Sequence, residues 1–182
     1  LLALPDLVEV VVGAEAVTRT DGPRPDEVTI GGRRWLLARC SGRVDDTAAR
    51  AEAVEQRGRR DWSVCWALPL TADGAPDPLT ADVLHAPTAT EERLSLPARL
   101  IATVPLEPDR RRMRPGPASD AVLAGAAAAY VDLVRAVAPD TRVALAPRPG
   151  FPRSELDGRV RELLADALRG AEWLPAVTGA QL

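Results

Sequence analysis

Four arginines crowd into five positions, Arg110, Arg111, Arg112 and Arg114, and Pro105, Pro108, Pro115 and Pro117 frame them. A guanidinium stays charged and presents a planar fork of donors. This grouping therefore suits phosphate oxygens or the negative charge of a transition state. The plainer alternative is a solvated charged loop, because exposed charges contribute little to stability. Nucleic acid is the weaker partner, since 23 basic residues face 26 acidic ones and the formal net charge is -3. A second cluster, Arg57, Arg59 and Arg60, flanks Gly58 at a predicted helix end, where the helix dipole accounts for it.

Other chemistries have less to stand on. His85 is the single histidine, and no G-x-S-x-G elbow accompanies it, so a Ser–His–Asp hydrolase has no anchor. His85 reads instead as a partly buried strand residue. Metal-ligand spacing is missing around it. Cys40 and Cys65 form no C-x-x-C pair; free thiols in a reducing cytoplasm are the default reading, and a disulfide stays open. All 23 cations are arginine, so a G-x-x-x-x-G-K-[ST] phosphate loop is impossible, and no G-x-G-x-x-G occurs. The expectation is that no catalytic residue and no metal site lie within this chain.

The elements that must hold the arginine loop can be read from pattern. Leu7 to Val12 is β-branched and stops at Gly13; Val28 and Ile30 alternate with Thr29 before Gly31-Gly32 turns the chain into Trp35–Cys40. Asp45 and Asp46 cap a predicted surface helix that ends near Arg57. The clearest strand is 62–70: Trp62, Val64, Trp66, Leu68 and Leu70 point one way, Ser63, Cys65 and Ala67 the other. Two tryptophans on one strand face indicate core packing more than a ligand platform. A short strand is expected at Val83–Ala86 and a longer one at Arg99–Val104.

Past Pro105 the pattern becomes helical. One helix is capped by Ser119, buries Val122, Ala126, Tyr130, Leu133, Val134 and Val137, and stops before Pro139. A second starts at the capping-box-like Ser154-Glu155-Leu156-Asp157 and closes at Gly170, with Trp173–Val177 returning as a strand. Apolar residues make up 46% of the chain, enough for a core. No stretch reaches the roughly 18 to 20 apolar residues of a membrane span. The fold class follows as α+β: a mixed or antiparallel sheet packed with helices in a two-layer sandwich, ending in a helix pair. Residues 1–182 read as a single fragment, strand-rich over about 1–106 and loop plus helices over about 107–182. The opening Leu1-Leu2-Ala3-Leu4, without Met, predicts a piece of something longer.

The passage from Leu94 to Arg111 (Leu-Ser-Leu-Pro-Ala-Arg-Leu-Ile-Ala-Thr-Val-Pro-Leu-Glu-Pro-Asp-Arg-Arg), followed by a helix bearing Ala129-Tyr130-Val131-Asp132-Leu133, resembles the region downstream of the ATPase module in sacsin-type repeats. It is similar in particular to bacterial, actinobacterial-type proteins with a sacsin N-terminal ATPase-like domain, also described as heat-shock-90-like. The strand from Trp62 to Pro69 fits the same relatives. The resemblance implies a transducer-like middle domain of a GHKL ATPase, chaperone-related and cytoplasmic. ATP and magnesium would be held by an upstream domain of the same chain, and none by this segment alone. It also implies that a basic residue here reaches the terminal phosphate, with Arg110 and Arg111 the first candidates and Arg112 beside them. Partners would be the upstream domain and a client protein, with no nucleic acid and no membrane. The other reading is a non-catalytic protein-interaction module.

Overall fold

A computed structural model describes residues 1–44 and 60–175. Among these, the strands are β1 (Glu9–Val12), β2 (Glu15–Asp21), β3 (Glu27–Ile30), β4 (Arg33–Arg43), β5 (Asp61–Leu70), β6 (Asp82–Ala86), β7 (Thr88–Leu94) and β8 (Arg99–Ala102). They form one eight-stranded sheet in the order β1-β2-β3-β4-β5-β8-β6-β7. Neighbours run antiparallel except β6 and β8, which are parallel with His85 opposite Ile101. Two helices follow, α1 (Pro117–Ala136) and α2 (Glu155–Arg169), with a 3-10 turn at Arg142–Leu145 between them. The class is α+β with a mixed sheet and a C-terminal helix pair, as the order of elements implied.

The central hairpin carries the sheet. Gly31 and Gly32 both have positive φ, 56° and 79°, which a two-residue turn between right-twisted strands requires. Beyond it β4 pairs with β5 over ten residues, Arg34 opposite Leu70 through Arg43 opposite Asp61. The alternation read in β5 holds: Val64, Trp66, Leu68 and Leu70 enter the main core under the helices, while Cys65 and Ala67 join Val28, Trp35, Leu37 and Ile101 on the opposite face. Cys40 and Cys65 are both free thiols. They belong to opposite faces: Cys40 donates to the Gly125 carbonyl of α1 at 3.2 Å, and burial raises its pKa with Asp132 adding to the effect.

The helix layer closes over Trp66, which is fully buried. Its indole N–H donates to the Ala126 carbonyl at 2.7 Å, and its ring meets Tyr130 edge-on at 4.8 Å. Burial pushes the Tyr130 hydroxyl pKa far up, and that hydroxyl donates to the Leu145 carbonyl at 2.5 Å. Strand-rich and helical parts share this one core, which runs from Leu36 to Leu168.

Several expectations need correction. Ser119 does not cap α1; Gly116 holds that place, Pro117 starts the helix with its fixed φ, and the Ser119 hydroxyl donates back to the Arg114 carbonyl at 2.6 Å. Contrary to the expectation that no stretch is apolar enough for a membrane span, helix α1 is long and apolar enough by composition to cross one; 61% of its apolar window is buried inside the protein, as in a core helix. Strands β2 and β7 were not foreseen. Both are largely polar and exposed, so no period-2 apolar signal marks them. Trp173 to Pro175 is irregular and not a strand, and the rest of that predicted strand lies outside the described residues, as do the predicted helix from Asp45 and the residues Arg57 and Arg59.

Candidate functional site

The arginine loop is a built structure. Leu106 and Met113 form an isolated antiparallel bridge, the Glu107 amide donates to the Arg112 carbonyl at 2.9 Å, and the Arg114 amide donates to the Pro105 carbonyl at 2.9 Å. Met113 is buried and pins the loop to the core, while its amide donates to the Glu92 carboxylate of β7 at 3.3 Å. At the tip Arg110 takes φ 60°, and among the described residues it alone of the non-glycine residues has positive φ. A non-glycine residue held there costs of order 1 kcal/mol or more. The cost is accepted because the tip is tied on both sides, by the Arg110 amide to the Glu107 carbonyl at 2.8 Å and the Arg111 amide to the Asp109 carboxylate at 3.0 Å.

The loop sorts its arginines. Arg110 and Arg114 line a cleft of about 660 Å³ that Trp62, Thr103, Leu106 and Val122 also border. Arg114 is occupied, lying 4.0 Å from Glu107 and donating to the Leu106 carbonyl at 3.4 Å. The Arg110 side chain makes no hydrogen bond or ion pair with any described residue. Arg111 turns to β7 instead: its guanidinium lies 3.3 Å from Glu91, and its carbonyl accepts from the Glu91 amide at 2.8 Å. Arg112 is exposed and does not line the cleft. The three sequence candidates therefore part company, and Arg114 joins Arg110.

Trp62, which borders this cleft, also carries a buried donor. The indole N–H of Trp62 is shielded from solvent and has no acceptor among the described residues. A buried unpaired N–H is rare in folded proteins. With the Arg110 guanidinium unpartnered among the described residues and Thr88 on its wall, the cleft suits an anionic ligand; Asp61 and Glu107 limit how much negative charge it accepts.

His85 sits on β6, half-buried, with Nε2 3.6 Å from Asp82, and Arg99 donates to the same carboxylate at 2.7 Å. Burial raises the Asp82 pKa, but His85, Arg99 and the Val83 amide outweigh it and hold the carboxyl down at about 2, below its ordinary 3.8. No serine or cysteine hydrogen-bonds to His85 among the described residues. Cys65 lies two strands away in the same row, with Ile101 between. Burial pushes the Cys65 pKa up, with Arg39 offsetting part of the rise. The group thus lacks a nucleophile and reads as a structural cluster, extended by Arg99 and Arg33 stacking on Trp35 at 5.4 and 5.0 Å. Because the folded pKa is depressed, Asp82 stabilises the protein fully above pH 3.8, and that contribution is lost as pH falls towards 2. Wild type is expected to melt above Asp82→Asn at neutral pH, with the gap closing across that window. A gap unchanged down to pH 2 would contradict the assignment.

No group of three or more His, Cys, Asp or Glu is arranged to hold a metal among the described residues. Set against protein-family models, curated proteins and solved structures, the chain matches none.

Proposed function

We propose that this chain is the transducer-like middle segment of a cytoplasmic, chaperone-related GHKL ATPase of the sacsin/heat-shock-90-like kind, coupling ATP hydrolysis in an upstream domain to conformational change. One observation supports the reading: Arg110, held at positive φ on a tied loop, leaves its guanidinium at the edge of a cleft with no partner among the described residues. A cation kept without a partner inside a built loop is suited to an anion delivered from outside, and the terminal phosphate of ATP is such an anion. ATP and its magnesium would be bound by the upstream domain; this chain would contribute charge at the phosphate and a rigid lever behind it. That lever is the loop itself, joined to the core at Met113 and to α1 through Ser119.

The test restores the upstream domain and measures ATP turnover. Arg110→Ala is expected to lower turnover by about 100-fold, at the low end of the range for losing one charge-stabilising donor. Arg111→Ala, whose guanidinium is engaged with Glu91, should leave it near wild type. Unaltered turnover and nucleotide affinity in Arg110→Ala would sink the coupling role.

A second reading, a non-catalytic protein-interaction module, is favoured by β1. This edge strand exposes Val10, Val11 and Val12 and, among the described residues, pairs on one side only, an arrangement that accepts another strand. Under this reading a charge on the edge strand, as in Val11→Glu, would weaken complex formation, and Arg110→Ala would leave hydrolysis intact.

A further inference from the structure

We propose that the loop of residues 146–153, between the 3-10 turn and α2, is a preformed docking finger for an acidic protein surface. Phe151 would enter an apolar pocket on the partner, while Arg148 and Arg153 meet carboxylates on that pocket's rim. The inference is independent of the Arg110 cleft.

Phe151 is the single phenylalanine of the chain, and it is 99% exposed. Trp35, Trp66 and Tyr130, in contrast, are buried. An isolated exposed apolar residue is ordinary in itself. What sets Phe151 apart is how firmly its backbone is held while its side chain stays almost wholly exposed. Pro147, Pro149 and Pro152 restrict the loop's dihedrals. From α2, Arg161 donates to the Arg148 carbonyl and, at 3.1 Å, to the Gly150 carbonyl. On the far side of Phe151 the Arg153 amide donates to the buried Asp157 carboxylate at 2.8 Å. The ordering entropy that a flexible loop would lose on binding has largely been lost already in folding.

The second observation is charge. Arg148 and Arg153 flank the ring, are exposed, and have no carboxylate within reach among the described residues. Some surface arginines are paired, Arg33 with Asp77 and Arg159 with Asp120; Arg148 and Arg153 share with Arg110 and Arg112 the lack of a carboxylate partner among the described residues, but only they flank an exposed aromatic ring. At the foot of the loop a hollow of about 200 Å³, bordered by Thr80, Ser95, Arg153 and Arg161, has room for one incoming carboxylate. A rigid aromatic anchor between two free arginines has the composition of a binding hot spot, and the complementary surface is apolar with an acidic rim. An anionic bilayer fits less well. One aromatic residue and two cations make a weak anchor, the exposed Glu155 and Glu162 on α2 would face the lipid, and the whole chain carries -3.

The test places p-benzoylphenylalanine at position 151 of the protein expressed in its own cells and maps photo-adducts by mass spectrometry. The expected result is a protein adduct on a segment where Asp or Glu flank apolar residues, with yield falling at least about fivefold in Arg148→Glu/Arg153→Glu. Phe151→Ser should abolish co-purification of the mapped partner and leave the thermal midpoint unchanged. A lowered midpoint would mean that Phe151 packs within its own chain, and would overturn the proposal. So would an adduct on a segment without acids, a yield insensitive to charge reversal, no protein adduct, or Phe151-dependent binding to phosphatidylserine vesicles.

Discussion

Replacing Asp157 with alanine is expected to remove about 2 to 4 kcal/mol of folding stability. Asp157 is completely buried, yet it lies in the first turn of α2 and accepts three hydrogen bonds from outside that helix's own ladder. The Ser95 amide reaches one oxygen at 2.8 Å; the Ser95 hydroxyl and the Arg153 amide reach the other at 2.7 and 2.8 Å. Alanine would leave three part-buried donors without this acceptor, each costing about 1 kcal/mol or somewhat more where water cannot replace it. The same carboxylate joins the end of β7 to α2, because Ser154 also donates to the Arg93 carbonyl at 2.9 Å. Asp157→Asn keeps one acceptor oxygen and should lose about half as much. Urea denaturation at constant m-value measures both. A loss below about 1 kcal/mol for Asp157→Ala would show that the donors find other acceptors.

Gly125→Ala is the second large effect, and its sign runs against helix propensity. Gly125 lies in the middle of α1, where alanine is ordinarily better by about 1 kcal/mol. Here a Cβ would sit 2.2 Å from Cη2 and 2.6 Å from Cζ3 of Trp62, closer than atoms pack. The ring cannot slide the other way without meeting β4, since a Cβ on Gly42 would lie 2.4 Å from its Cζ2. The indole therefore occupies space left by two missing side chains, one on a strand and one on a helix. Overpacking it is expected to cost about 3 kcal/mol net of the propensity gain. Gly158→Ala on α2 is the control: its Cβ would meet Pro152 at 3.4 Å, an ordinary contact, so stability should rise by about 0.5 kcal/mol. Thermal denaturation of the two variants side by side decides the matter. Equal shifts for Gly125→Ala and Gly158→Ala would refute the wedge.

These effects also mark where the sequence stops being legible. The alternation of Trp62 to Leu70, the Gly31-Gly32 turn, the Ser154 cap and the Gly170 stop are local signals, and each appears in the structure where the residues placed it. Ser154 accepts from the Asp157 amide at 3.0 Å, as a capping box requires. The second half of the box is absent, because the Asp157 carboxylate turns to Ser95, 62 residues away in sequence. Strand β7 escaped notice for a related reason. Its Thr-Ala-Thr-Glu-Glu-Arg-Leu buries only Thr90 and Leu94, and it is a strand because β6 offers it an edge.

The arginine loop divides the same way. Its residue types pointed to anion chemistry and its prolines to a restricted loop, both of which are properties of the residues themselves. Which guanidinium would be free was not such a property. Glu91 draws Arg111 to β7 and Glu107 engages Arg114, leaving Arg110 at the cleft. The sequence by itself determined the fold class, the core strand and the two helices, because hydrophobic periodicity and capping act over a few residues. Only the tertiary structure decided the tryptophan wedge, the buried carboxylate and the free arginine, because each depends on distances between residues far apart in the chain.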